Sequence, residues 1–214
     1  MLVKDVMTKN PVTVQSDVSV LEAKELFTKN KISKLPVLNK NGELVGIITK
    51  NDLNRASPSD ASTLDVYEMG YLLSKITVEK TMCKSVKTTT EDIPVEEAAR
   101  LMADYGIGCL PVVSGKLVVG IVTSSDLFHC FVEMFSTKNP GVRASLEMSE
   151  HPGSLAAFAS EVAKIKGNIV SIVTADSDKN ERRNVTVKVS GITIEDFKKV
   201  IEGKDIIVTD IRNV

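Results

Sequence analysis

Two threonine–aspartate pairs are the side chains in this sequence with the clearest capacity for binding chemistry. The segment from Gly46 to Asp52 recurs as the segment from Gly120 to Asp126. In both copies an apolar strand ends at a threonine, and an aspartate follows three residues later at the predicted start of a helix. An ionised carboxylate only accepts hydrogen bonds, so it suits vicinal hydroxyls such as those of a ribose. The sequence therefore predicts two related half-sites, formed by Thr49 with Asp52 and by Thr123 with Asp126.

The two aspartates also have a structural interpretation, because Asp is a strong helix N-cap and contributes about 1 kcal/mol in that position. The two interpretations are compatible, since a capping side chain can also face a cleft. Duplication with a threonine at fixed spacing favours ligand contact, and both alternatives are kept at this point.

The pairs belong to a longer internal repeat. At a spacing of 75 residues many identities recur, and after a one-residue deletion in a turn the spacing becomes 74. Each copy predicts a strand, a helix, two strands and a last helix, the order βαββα. Units of this size cannot bury both faces of a small sheet, so the two copies need each other or a second chain. The residues of the first copy that recur at 75 are Val3, Met7, Lys9, Thr13, Asp17, Val20, Glu22, Ala23, Leu26, Ile32, Leu35, Pro36 and Val37.

Breaker-rich segments divide the chain. Ser57 to Asp60 breaks the chain between the two copies, and residues from Thr63 to Ile76 have near-helical apolar spacing. Beyond a second break the order becomes βαββαβ, which predicts one sheet with helices on one face. The fold class is therefore α/β (α+β). We expect a first domain at 1–56, a linker helix at 57–76, a second domain at 77–136, a linker at 137–141 and a last domain at 142–214.

Composition argues against several classes of function. A formal net charge of -1 gives no basic field for nucleic acid or an acidic membrane, and no apolar run is long enough to span a bilayer. The first residues enter the repeat at once, so we expect no secretory signal. Cys83, Cys109 and Cys130 lack metal-ligand spacing and indicate free thiols in a reducing cytoplasm. With only His129 and His151, we expect no metal site.

The sequence contains no recognisable catalytic set. Neither histidine has a nearby Ser or Cys with a local orienting carboxylate, and no Walker loop or dinucleotide fingerprint occurs. We therefore expect a protein that is not an enzyme and requires no cofactor.

Residues 1–132 resemble a tandem cystathionine-β-synthase (CBS) domain pair, also called a Bateman module. Residues 142–214 resemble an ACT regulatory domain, on the segments His151 to Leu155 and Gly167 to Ile169. The two resemblances in this order, with the linker 65–75, are similar to the acetoin-utilisation AcuB-like family. The CBS resemblance is carried by the two Gly-x-x-Thr-x-x-Asp segments and by Val6-Met7-Thr8, Thr81-Met82-Cys83, Lys34-Leu35-Pro36-Val37 and Cys109-Leu110-Pro111-Val112.

The resemblance implies two adenosine-binding clefts, each built from both repeats. One cleft would hold a ribose with Thr123 and Asp126 and would wall the base with Thr8, Val12, Ile32, Ser33 and Lys34. The other would use Thr49 and Asp52 with Cys83, Val86, Ile107, Gly108 and Cys109. The candidate cations for phosphate groups are Lys34, Lys50 and Arg55.

For the C-terminal domain the resemblance implies dimerisation or an amino-acid ligand at the turn before its first helix, with Glu150, His151, Gly153 and Ser154 as candidate contacts. The expected function is a cytoplasmic regulatory homodimer that senses an adenine nucleotide, NAD or S-adenosylmethionine and signals to an unknown downstream protein, in acetoin or carbon metabolism. Two alternatives remain: an enzyme or accessory factor of acetoin utilisation, and a ligand-free dimerisation scaffold.

Overall fold

A computed structural model describes residues 1–56, 66–178 and 181–214 of the 214-residue chain. The chain divides into two compact units, Met1–Leu127 and Phe128–Val214, and each is described by itself. A helix covers Val66–Lys75 within the linker predicted at 57–76, and the part of that prediction before Val66 lies outside the described residues.

The first repeat follows the predicted strand and helix order, with a short helix and a short strand added at its start. Its main helix is capped by Ser19, whose hydroxyl accepts from the backbone N–H of Glu22 at 3.2 Å. An apolar stripe of that helix, Val20, Ala23 and Phe27, is buried in the repeat's core. The elements are α1 (Val3–Val6), β1 (Thr8–Lys9), β2 (Val14–Gln15), α2 (Val20–Asn30), β3 (Lys34–Leu38), β4 (Leu44–Thr49), α3 (Lys50–Ala56) and the linker helix α4 (Val66–Lys75).

The second repeat has the same plan. A single bridge between Thr89 and Val112 replaces the short strand that corresponds to β2. Its elements are α5 (Val78–Thr81), α6 (Val95–Asp104), β5 (Cys109–Ser114), β6 (Leu117–Thr123) and α7 (Ser124–Met134), which begins in the first unit and ends in the second.

The two repeats exchange their first residues. Strand β1 pairs with β6 of the second repeat, with Thr8 opposite Ile121. Reciprocally, Cys83 of the second repeat pairs with Ile47 on β4, through backbone hydrogen bonds of 2.9 and 3.0 Å. The helices follow their strands, because Val3 lies in the core of the second repeat and Val78 in that of the first. Each core therefore contains residues from both copies.

The glycine of each Gly-x-x-Thr-x-x-Asp segment makes this exchange possible. A Cβ on Gly120 would overlap the Sδ atom of Met7, and a Cβ on Gly46 would overlap that of Met82. Each methionine passes over the strand of the other repeat where only hydrogen occupies the glycine's side-chain position. The repeated glycines thus admit the segments that carry Thr8 and Cys83.

The second unit contains a four-stranded antiparallel sheet in the order β10-β7-β9-β8, with the chain order βαββαβ. Strand β7 alternates strictly between buried and half-buried residues. Its buried side packs with Phe158 and Phe197, one from each helix, whose ring centroids are 6.1 Å apart. The elements are β7 (Val142–Ser149), α8 (Ser154–Lys164), β8 (Asn168–Asp176), β9 (Arg182–Ser190), α9 (Ile194–Ile201) and β10 (Ile206–Asn213). The predicted fold class is confirmed.

Candidate functional site

The two threonine–aspartate pairs have nearly the same geometry. Oδ2 of Asp126 accepts from the backbone N–H and from the hydroxyl of Thr123, both at 2.7 Å. Oδ2 of Asp52 accepts from the same two groups of Thr49 at 2.8 and 2.7 Å. Both pairs are partly buried, and their similarity shows that the sequence repeat is also a repeat of local structure.

The structure corrects the structural alternative in which each aspartate is itself the N-cap residue. Thr49 and Thr123 immediately precede α3 and α7, and each threonine hydroxyl accepts from the backbone N–H of its aspartate, at 3.3 and 3.4 Å. This reciprocal pattern is a capping box, with the threonine as the cap and the aspartate at the third helical position. Within the described residues Oδ1 of either aspartate accepts no hydrogen bond, so one oxygen remains available to a ligand.

A third pair with this geometry occurs at the start of α9. Oδ2 of Asp196 accepts from the hydroxyl of Thr193 at 2.9 Å and from its backbone N–H at 3.3 Å. This pair is exposed and lies in the second unit, apart from the repeats. Unlike the other two, its second oxygen Oδ1 also accepts from Nζ of Lys199 at 3.1 Å, so it provides an internal reference for a capping box with one added exposed ion pair.

The exchanged strand places one wall residue of the first predicted cleft beside the strand that ends at Thr123. Thr8 lies opposite Ile121, two residues before Thr123 on the same strand. Ile32 packs against the core of the first repeat, Val12 is 36% exposed and Ser33 is exposed. The membership of these last three residues in the first cleft stays a prediction.

Residues of the second predicted cleft converge around strand β4. Cys83 pairs with Ile47, two residues before Thr49, and Ile47 also packs in a small cluster with Cys109 and Val86. Ile107 lies against the core of the second repeat, and Gly108 accepts from both the backbone N–H and the hydroxyl of Ser124, at 3.1 and 3.0 Å.

Burial raises the pKa of the Cys109 thiol to about 11, partly opposed by the charge of Lys34. The thiol is therefore protonated at neutral pH. This state fits a small wall residue and does not fit a nucleophile, which needs the thiolate.

Lys34 extends from the first repeat toward the second. It is the cross-strand partner of Thr49, and its Nζ lies 3.8 Å from the position that a Cβ on Gly108 would occupy. Its ammonium group is thus close to Ser124 at the start of α7. The other two candidate cations, Lys50 and Arg55, are exposed on the first and last turns of α3.

All four candidates of the C-terminal domain line one cavity of about 470 Å³. Gly153 has a φ of 93°, a conformation that favours glycine, and it turns the chain into α8. The hydroxyl of Ser154 is 2.7 Å from Nδ1 of His151. Whether this cavity holds a ligand stays a prediction.

Sequence reasoning missed Arg183, which also lines this cavity. Its guanidinium donates to Glu150, with Nε at 2.9 Å from Oε1, and Nη1 lies 3.3 Å from the hydroxyl of Thr174. Arg183 lies opposite both Met148 and Asp176 in the sheet. Only the strand register, which a local sequence pattern does not show, brings it to Glu150.

Two other kinds of site are absent from the described part of the chain. There, no group of three or more His, Cys, Asp or Glu side chains is arranged to hold a metal ion. Likewise, no helix there has the length and apolar character needed to cross a bilayer.

Comparison with known proteins identifies both parts of the chain. A CBS domain model matches residues 3–59 and 76–133. A TTHA0829-like ACT domain model matches residues 140–212. L-aspartate semialdehyde sulfurtransferase of Methanocaldococcus jannaschii is 38% identical over 131 residues, which are 61% of this chain and 23% of that relative. The chain therefore spans only a small part of the curated relative that it matches.

Solved structures resemble the repeat region. The CBS domain pair of protein MJ0100, in complex with 5′-methylthioadenosine and S-adenosyl-L-methionine, is 38% identical with a TM-score of 0.51, over 61% of this chain and 99% of that one. A structure from Vibrio cholerae described as an acetoin utilization protein (AcuB) is 28% identical with a TM-score of 0.53, over 64% of this chain and 95% of that one. The predicted resemblance is confirmed: the chain belongs to the CBS domain family and carries a tandem CBS pair followed by a TTHA0829-like ACT domain.

Proposed function

We propose that this chain is a non-catalytic regulatory protein that senses an adenosine-containing ligand through its CBS pair. The ligand is an adenine nucleotide, NAD, S-adenosylmethionine or a related adenosyl compound. Binding shifts the population of conformations and passes the signal to a downstream protein partner. A place in acetoin or carbon metabolism is part of the proposal and rests on the similarity to the AcuB structure.

The observation that carries the proposal is the duplicated carboxylate with one uncommitted oxygen. Asp52 and Asp126 are each fixed by a capping box, so their orientation is set before a ligand arrives. Preorganisation lowers the cost of binding, and a carboxylate oxygen suits the two hydroxyls of a ribose. The MJ0100 domain pair, which is similar over nearly its whole length, is in complex with two adenosyl compounds.

The cationic side chains near the two clefts differ. A phosphate substituent would be favoured near them, and a sulfonium substituent would not. Lys34 lies near the start of α7, where a phosphate would add a charge-assisted hydrogen bond. The second repeat has Ser124 where the first has Lys50 after its threonine. We therefore propose that the clefts differ in their preference for anionic ligands.

The ACT domain supplies the second part of the proposal. A small amino acid would direct its ammonium group to Glu150 and its carboxylate to Arg183 and the N-terminus of α8, all at the cavity of about 470 Å³. We also propose a homodimer, which is supported by the exposed aromatic side chains Tyr67 and Tyr71 on α4.

Two rival functions are distinguished by simple outcomes. The matching sulfurtransferase is named as an enzyme, but the match covers 23% of it, so its activity does not transfer by this similarity. A ligand-free scaffold would keep the capping boxes without any response to adenosyl compounds.

The test is thermal unfolding of the purified chain with AMP, ADP, ATP, NAD, S-adenosylmethionine, single amino acids and acetoin. A ligand at about 100 times its Kd adds roughly 2.7 kcal/mol to the free energy of unfolding. The proposal expects a shift with at least one adenosyl compound that is lost in the Asp52→Ala/Asp126→Ala variant. No shift with any adenosyl compound overturns it.

A further inference from the structure

The outer face of the second unit's sheet has a cavity that neither part of the proposed function uses. Its volume is about 360 Å³, and it lies between the end of α7 and the sheet side opposite α8 and α9. The residues of interest in its lining are Phe131, Phe135, Arg143, Ser171, Thr186 and Lys188. The cavity combines an aromatic wall with buried positive charge.

Lys188 is the unusual member of this lining. It is only 4% exposed, although its position on β9 points away from the domain core that Val187 and Val189 enter. Its Nζ donates to the backbone carbonyl of Ser136 at 2.9 Å, which uses one of three donors. Among the described residues no carboxylate lies within ion-pair distance of this ammonium group. A buried charge without a counter-charge is costly, so the site favours an anion.

The neighbouring strands increase this positive charge. Lys188 lies directly opposite Arg143, and Arg143 lies directly opposite Arg212 on β10. Like charges in directly opposed positions repel each other. Asp210 pairs with both arginines, at 3.2 Å from Arg143 and 2.5 Å from Arg212. One carboxylate is thus shared by two guanidinium groups, and the row of three cations keeps an excess of positive charge.

The other wall suits a flat or branched apolar group. The rings of Phe131 and Phe135 are 4.5 Å apart between centroids, with a tilt of 35°. Ser171 is the cross-strand partner of Lys188 on its other side, so a hydroxyl adjoins the ammonium group. Cavities of this size bind small ligands through an apolar body and a few placed polar groups.

A structural role for Lys188 explains part of this arrangement. Its ammonium group lies at the C-terminal end of α7, where a cation is favourable and where the helix has no basic residue of its own in the last turn. That role accounts for the contact with Ser136. It does not account for the open volume or for the adjoining Arg143, whose guanidinium donates to Ser145 and to Asp210.

We propose that this cavity binds a small organic monocarboxylate with an aromatic or branched apolar body. Lys188 and Arg143 hold the carboxylate, and Phe131 and Phe135 flank the apolar part. The site is separate from the turn around Gly153, so its ligand would be sensed independently of an amino acid there.

The experiment is isothermal titration of the full chain with benzoate and with benzamide, its neutral counterpart of the same shape. We expect saturable binding of benzoate with a Kd of about 1 mM or lower, and binding of benzamide at least about tenfold weaker. Lys188→Met should abolish the preference for the anion. Phe131→Ala should weaken benzoate about tenfold, whereas the matched variant Phe128→Ala should leave its affinity unchanged, because Phe128 is exposed on the same helix and does not line the cavity.

Equal affinities for benzoate and benzamide, or no saturation by benzoate at about 10 mM, overturn the proposal. Benzoate binding that Phe131→Ala leaves intact also overturns it, because the anion then binds elsewhere. If Lys188→Met does not fold, the pair Phe131→Ala and Phe128→Ala still decides the outcome, since both change exposed side chains on one helix.

Discussion

The three capping boxes allow the ligand role of Asp52 and Asp126 to be separated from their structural role. The perturbation is removal of the carboxylate, as Asp52→Ala/Asp126→Ala in the CBS pair and as Asp196→Ala in the ACT domain. In every case Oδ2 accepts two hydrogen bonds from the preceding threonine, at distances between 2.7 and 3.3 Å. The matched geometry predicts a similar loss of unfolding free energy for each box, to which Asp196→Ala adds only the loss of an exposed ion pair with Lys199.

The magnitudes follow from those contacts. Loss of one capping interaction costs about 1 kcal/mol of unfolding free energy, so we expect about 1 kcal/mol for Asp196→Ala and about 2 kcal/mol for the double variant. The ligand effect is larger, because two hydrogen bonds from ribose hydroxyls to a carboxylate contribute about 1.5 kcal/mol or more each. Their loss corresponds to a Kd about 100-fold higher.

The assay combines urea denaturation followed by circular dichroism with calorimetric titration of the adenosyl compound that gives the largest thermal shift. The double variant should lose binding, and Asp196→Ala should bind as the wild type does. If Asp196→Ala weakens adenosyl binding as much as the double variant, the carboxylates act only through stability. If the double variant binds with unchanged affinity, the ribose contact is refuted.

Three further predictions concern single residues. Thr89 buries a hydroxyl that has no hydrogen-bond partner among the described residues, at the position where the first repeat has Val14. Thr89→Val should therefore raise the free energy of unfolding by about 1 kcal/mol in urea denaturation. A lower free energy of unfolding would contradict this. Gly120→Ala should lower the free energy of unfolding by about 1–3 kcal/mol and weaken adenosyl binding, because the new Cβ overlaps Met7 of the exchanged segment. An unchanged free energy of unfolding would refute the exchange. At neutral pH a thiol reagent should label the exposed Cys83 quickly and the buried Cys109 slowly. Burial raises the pKa of the Cys109 thiol to about 11, so its reactive thiolate forms only near that pH. Equal labelling rates would contradict the burial of Cys109.

Local patterns predicted much of the fold. The apolar stripe from Ile194 to Ile201 predicts a helix, and α9 has those bounds. The apolar run from Ile206 to Val208 predicts a last strand, and the observed strand continues beyond it to Asn213. Its polar continuation is stabilised by the pairing of Asp210 with Arg143, a contact that sequence periodicity does not reveal.

The sequence predicted which residues belong to the candidate site better than it predicted how they contact one another. The repeat identified the threonine–aspartate pairs. Which residue of each pair is the helix cap follows only from the helix bounds. Met7 and Met82 were interpreted as core residues, and the structure places each in contact with the other repeat's core. Arg183 was missed because its contact with Glu150 depends on strand register, which is a non-local property.

The central claim is that the CBS pair binds the ribose of an adenosyl compound, and one titration tests it most directly. Calorimetry of the wild-type chain would compare S-adenosylmethionine, 5′-methylthioadenosine and AMP with 2′,3′-dideoxy analogues of those that bind. We predict saturable binding of at least one natural compound and an affinity about 100-fold lower when both ribose hydroxyls are absent. No saturable binding of any of the three, or equal affinity for the dideoxy analogue, would contradict the claim.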